Sequence, residues 1–238
     1  MALVVPRPPE VSHPQVWKAR ELARAVERVV ASGHPSLDAE LPGGGWPVGC
    51  LVEVLQGDAG RHEWQLVLQG VSDTSGPVVL VGCPHEPFGA SLEAQGLPLS
   101  RLLRVQSQKP SARLWACEQA LRCREVGAVL AWLPQARSPE LRRLQLAAAQ
   151  HDKLLFVFRG LEAAGEASPA RLRLQVEGSA SLQVKVLKRR GPPVARVLEL
   201  RSHPERLQAL LASRSARPGT LPLSEDRSHV LDRTAAVA

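Results

Sequence analysis

The spacing of apolar and polar positions divides the chain into stretches of different rhythm. Between residues 15 and 30 the run QVWKARELARAVERVV places Val16, Leu22, Val26 and Val29/Val30 on one stripe, with Arg and Glu elsewhere. That spacing predicts an amphipathic helix beginning just after Pro14. The next stretch, SGHPSLDAELPGGGWPVG, is rich in Gly and Pro and predicts a loop with at most one helical turn around residues 37–41. Strand-like and helix-like patterns then alternate. Strands are predicted at residues 51–55 (LVEVL), 77–82 (PVVLVG), 102–106 (LLRVQ), 128–133 (AVLAWL) and 153–159 (KLLFVFR). Helices are predicted at 63–71, 112–126 and 138–151, the last with Pro139 in its first turn, and a helix-and-loop segment at about 88–97. The runs at 77–82 and 128–133 are apolar throughout, as strands buried on both faces are. This alternation predicts an α/β protein whose mostly parallel sheet is flanked by helices.

After Gly165 the rhythm shortens to a period of two. ARLRLQVEG, SLQVKVLKRRG and ARVLELRS alternate apolar with polar residues, which predicts half-buried antiparallel strands at the C-terminal end of the fold. A short amphipathic helix, PERLQALLASR, precedes a tail rich in Ser, Arg and Pro, and the composition of residues 214–238 predicts disorder. The expected organisation has three parts. Residues 1–31 form an extended segment and an amphipathic helix, residues 32–201 the α/β core, and residues 202–238 a short helix and tail.

Composition narrows the function classes. The chain has 238 residues, 44% hydrophobic and 22% charged, which suits a soluble globular protein with a real core. No apolar run approaches the roughly 20 residues that span a bilayer. The start, MALVVPRPPEVSHP, lacks a basic stretch followed by an apolar one, so neither a membrane contact nor a signal peptide is expected and a cytoplasmic location is the default. Cys50, Cys83, Cys117 and Cys123 show no C-x-x-C spacing and are expected to be reduced and mostly buried. The seven histidines are scattered, so no metal site is expected. A formal net charge of +7 permits contact with nucleic acid. No aromatic cluster interleaves with basic residues, so a base-stacking platform is not expected.

One stretch carries a chemical question. In LVEVLQGDAGRHEWQ (51–65) a strand enters a turn with Gly57 and Gly60, and a helix follows. That is the layout of a phosphate-binding loop, which should read G-x-x-x-x-G-K-[ST]. Here no lysine occurs between Lys18 and Lys109.

SGHPSLDAELPGGGWPVGCLVEV resembles the entry to a RecA core. More specifically LDAELPGGGWPVG, PHEPF, GAVLAWLP, LRRLQLAA and SPARLRLQVE with VKVLKRRG, in that order over about residues 13–191, resemble the ImuA family of RecA-like proteins from bacterial mutagenesis operons. SulA-like division inhibitors belong to the same wider group. The resemblance implies a RecA-like core. Against the RecA loop, Arg61 falls at the second glycine, His62 at the lysine and Glu63 at the Ser/Thr. Trp132 falls where RecA-like ATPases hold Mg²⁺ with an Asp, and an indole is a donor only. The resemblance therefore implies a degenerate phosphate loop, a degenerate Mg²⁺ site, no catalytic residue and no cofactor. Glu86 falls near the water-activating glutamate of RecA; without phosphates it reads, with His85, as a loop residue.

The same resemblance implies partners. ImuA-type proteins act beside an ImuB-type Y-family-like protein and an error-prone replicative-type polymerase, under SOS control, and are thought to engage RecA. DNA contact would be indirect, and the protein would be nucleoid-associated when DNA is damaged. VKVLKRRG resembles the strand after which RecA places paired basic residues that reach a neighbour's ATP. Lys188 and Arg190 would occupy those positions, with Lys185 and Arg189 beside them. The stripe of Trp17, Leu22 and Val26 compares with the N-terminal helix that RecA packs on an adjacent subunit. A SulA-like inhibitor of FtsZ and a DNA-binding module are the alternative readings.

Overall fold

The computed structural model of the chain describes residues 28–178 and 181–200. The helix expected from residue 15, apart from its last residues, and the C-terminal helix and tail lie outside them. A short strand β1 (Val29–Val30) pairs antiparallel with β2 (Trp46–Pro47), and a short helical turn α1 (Pro35–Asp38) lies between them in sequence. The expected helix therefore does not continue through Val29 and Val30. Two adjacent β-branched residues favour extended backbone. The pairing is close: a Cβ on Gly45 would stand 2.4 Å from the Val30 carbonyl oxygen.

The rest of the core follows the predicted alternation: β3 (Leu51–Gln56), α2 (Glu63–Ser72), β4 (Val78–Val81), α3 (Gly89–Ala94), β5 (Leu102–Val105), α4 (Pro110–Arg122), β6 (Ala128–Trp132), α5 (Ser138–Gln150) and β7 (Leu154–Gly160). Among the described residues three further strands, β8 (Leu172–Glu177), β9 (Leu182–Lys188) and β10 (Val197–Leu200), extend the sheet to eight strands in the order β10-β9-β8-β3-β7-β6-β4-β5. All pairs from β8 to β5 are parallel, whereas β9 pairs antiparallel with β8 and β10 with β9. The expectation for ARLRLQVEG is thus half right. β8 is antiparallel to β9 but parallel to β3, with Val52 opposite Leu172.

The sheet separates two apolar clusters. On one face Val54, Leu80, Leu130 and Phe156 pack with Leu66 and Val71 of α2, Leu37 of α1 and Leu92 of α3. On the other, Val79, Val129 and Val157 pack with Cys117 and Leu121 of α4 and Leu141, Leu144 and Ala148 of α5. The wing from β8 to β10 gives Leu174, Val184, Val186 and Leu198 to the first cluster only. Strands β3, β7, β6 and β4 are thus buried on both faces, while the wing gives its apolar side chains to one. That difference produces the shortened rhythm in the sequence.

Candidate functional site

β3 ends at Gln56 and α2 begins at Glu63, so residues 57–62 turn the chain at the carboxyl end of a central strand, where ligands of open α/β sheets bind. Gly60 holds φ +93°, and a Cβ there would lie 2.3 Å from Cδ2 of His85. The left-handed backbone favours glycine there, while the exposed His85 ring could swing aside. Gly57 needs neither, since a Cβ there would meet Leu161 at an ordinary 3.7 Å.

Glu63 does not face solvent. It is 1% exposed, and its carboxylate is gripped from four directions. Oε1 accepts hydrogen bonds from the Gly60 backbone N–H (2.6 Å), the Gln56 amide (2.5 Å) and the Trp132 indole (2.7 Å). Oε2 accepts from the His62 backbone N–H at 3.1 Å. Trp132 is the last residue of β6, two strands away from β3, and it stacks on Phe158 of β7 with ring centroids 4.8 Å apart. The residues read from the sequence as two separate losses, Glu63 and Trp132, are hydrogen-bond partners. The anion donated to the loop is one of the chain's own side chains. His62 Nδ1 and Gln56 Oε1 beside it are buried without a hydrogen-bond partner. Arg61 points outward and pairs with Asp58 at 3.1 Å. Glu86 is exposed and faces Arg104 at 3.7 Å, and Cys83 Sγ donates to the His85 carbonyl. Burial raises the Cys83 thiol above its ordinary value.

The basic candidates occupy the other end of the sheet. Lys188 ends β9 opposite Arg173 near the start of β8, hence near the amino end of β3. Its ammonium donates to the Ser168 carbonyl at 2.9 Å and stays exposed. Lys185 is exposed between Gln175 and Val197. Arg189 is committed within the chain. It bonds the Glu40 backbone carbonyl, pairs with Glu40 Oε2 at 3.1 Å and reaches Pro192 O at 2.8 Å. Arg190 borders a small pocket with Pro42, Pro47, Arg171 and Leu172. Trp17, Leu22 and Val26 lie outside the described residues.

Sequence reasoning missed a buried ionic cluster. Glu53, at 0% exposure, pairs with Arg159 of β7 (2.9 Å) and Arg173 of β8 (2.6 Å), and Arg159 also reaches Glu166 at 2.7 Å. Arg173 donates further to the Ala163 carbonyl at 2.7 Å. The signal was available: each of the apolar runs LVEVL, LLFVFR and LRLQV carries one charged residue, Glu53, Arg159 and Arg173. Among the described residues no group of His, Cys, Asp and Glu could hold a metal ion, and no helix is long and apolar enough to cross a membrane.

Sheet order and site together define an α/β protein whose strand–turn–helix loop is filled by an internal carboxylate. Residues 51–155 match the family described as cell division inhibitor SulA. Protein ImuA from Caulobacter vibrioides (strain NA1000 / CB15N) is 34% identical over 164 residues, covering 64% of this chain and 65% of the relative; the protein of the same name from strain ATCC 19089 matches equally. Cell division inhibitor SulA from Photorhabdus laumondii is 31% identical over 91 residues, 38% of this chain and 51% of the relative. The match thus spans 65% of the length of the ImuA relatives, less than two thirds. The chain is thus similar to ImuA and SulA proteins, in line with the sequence resemblance.

Proposed function

We propose that the chain is a non-catalytic accessory protein of DNA-damage-induced mutagenesis, an ImuA-type adaptor in translesion synthesis. It would join an ImuB-type protein and an error-prone polymerase, and would dock on RecA. The observation that carries the non-catalytic part is the Glu63 carboxylate. It occupies the N–H donors that would hold a phosphate, and it would repel a triphosphate in a site with little water. Trp132 offers a donor where a metal would need an acceptor. The loop 57–62 then reads as a degenerate phosphate loop kept because the fold requires a turn there.

The adaptor part rests on the ImuA relatives and on the placement of Lys188 and Arg190. They lie at the end of the sheet opposite the Glu63 loop. A head-to-tail neighbour contacts one end of a protomer with the other end of the next, so docking by Lys188 and Arg190 onto an ATP-bearing RecA face is geometrically coherent. With no nucleotide at its own loop, the chain would cap a filament rather than extend it. The test is a pull-down against purified RecA and an ImuB-type protein separately, with and without ATP and single-stranded DNA, beside Lys188→Glu/Arg190→Glu. Binding to RecA that the double variant loses is the expected result; equal binding by the variant removes the docking surface. A division inhibitor acting on FtsZ is the second reading, favoured by the SulA match over residues 51–155. Filamentous cells on overproduction would support it.

A further inference from the structure

We propose that the outer face of α4 and α5 is a docking surface for an acidic amphipathic helix of a partner protein, separate from both the Glu63 loop and the Lys188 end. The two helices pack on each other and send Cys117, Leu121, Leu141 and Leu144 into the sheet. Trp115 and Leu146 are left outside, 65% and 64% exposed. Neither is needed to fill the core, and an exposed indole on a rigid helix is the kind of group that anchors interfaces.

An ion pair ties the two anchors to one face. Glu118 stands one turn after Trp115, and Leu146 one turn after Arg143. Glu118, its side chain 13% exposed, accepts from Arg122 of its own helix at 2.7 Å and from Arg143 of α5 at 2.6 Å. The Glu118–Arg143 bridge brings the Trp115 side of α4 to the Leu146 side of α5. The apolar anchors therefore flank a rigid charged seam.

Charge selects the occupant. Arg122, Arg142 and Arg143 are exposed on this face, against the single carboxylate of Glu118, which two of them share. A second copy of the chain would bring the same positive excess against itself, since a two-fold contact opposes a patch to its own image. Single-stranded nucleic acid would find one aromatic only, and a carboxylate under its phosphates. A helix with a Leu or Phe stripe and Glu or Asp on its flanks meets both the apolar anchors and the spare guanidinium charge.

The probe is a set of labelled acidic amphipathic peptides of about four helical turns that differ in apolar spacing, read by fluorescence anisotropy. At least one should bind, and Trp115→Ala/Leu146→Ala should weaken it by about tenfold or more. Arg143→Glu should weaken it similarly while gaining affinity for the same peptide with Lys in place of Glu. Because both anchors are exposed, the double alanine variant should unfold at the same urea concentration as the parent chain. Absence of binding by every peptide overturns the proposal, as does binding indifferent to these substitutions. Oligo-dT binding, or dimerisation in sedimentation, that Trp115→Ala abolishes while peptide binding is absent would overturn it in favour of those occupants.

Discussion

Glu63 is held by three donors on a single oxygen, and its removal would leave the Trp132 indole and the Gln56 amide buried and unpaired, with the Gly60 N–H in a more exposed turn. Each such buried orphan costs about 1–3 kcal/mol, so Glu63→Ala should lower unfolding stability by roughly 2 kcal/mol or more. The vacated donors still converge, and inorganic phosphate should restore part of the loss in the variant while leaving the parent chain unchanged. Thermal melts with and without phosphate check both points; a melt of Glu63→Ala indifferent to phosphate would show that the loop collapses instead. The sequence revealed half of this. That Glu63 and Trp132 depart from the phosphate-loop pattern was legible in their positions. That the two residues answer each other across 69 positions was not, because their contact depends on the sheet order, which sets β6 two strands from β3 with β7 between them.

At the scale of elements, the buried parallel strands were legible because an unbroken apolar run has few other destinations. The direction of β8 was not. Alternation reports how many faces are covered, and says nothing of which neighbour a strand chooses. The end of the first predicted helix failed at Val29 and Val30, whose partners Trp46 and Pro47 sit in a stretch that reads as loop. α4 carries a prediction of its own. Its inward face seats Cys117 among Leu121, Val129 and Leu141, and burial pushes that thiol up to about 12. The unfolded thiol ionises from about pH 8.5, so above that pH the native state holds the extra proton. Stability contributed there is present at neutral pH and falls as pH rises towards 12, by up to about 1.4 kcal/mol per pH unit. Urea midpoints between pH 7 and pH 10.5 should therefore fall more steeply for the parent chain than for Cys117→Ala. Equal slopes would place the thiol in contact with water.

For the whole molecule, the Glu53 cluster joins the helix-covered strands to the open wing. β3, β7 and β8 each contribute one member, so the cluster fixes which strands lie beside β3. Glu53→Leu would leave two buried guanidiniums without that carboxylate and should cost about 3–5 kcal/mol. Replacing Arg173 by Leu as well should cost less than the two single changes added together, since they share one interaction. Chemical denaturation of the three variants measures that coupling, and simple additivity would show that the charges stabilise the sheet independently. Glu40 plays a related part at the far end, where Arg189 and Arg196 close on it from the hairpin.

A loop that is occupied by its own side chain is saturated at every concentration of ATP. On the function proposed above, this end of the protein would not report the energy charge of the cell, and no exchange factor would reset it. Control of such a protein would then fall on how much of it is made and destroyed, or on the surfaces that meet its partners.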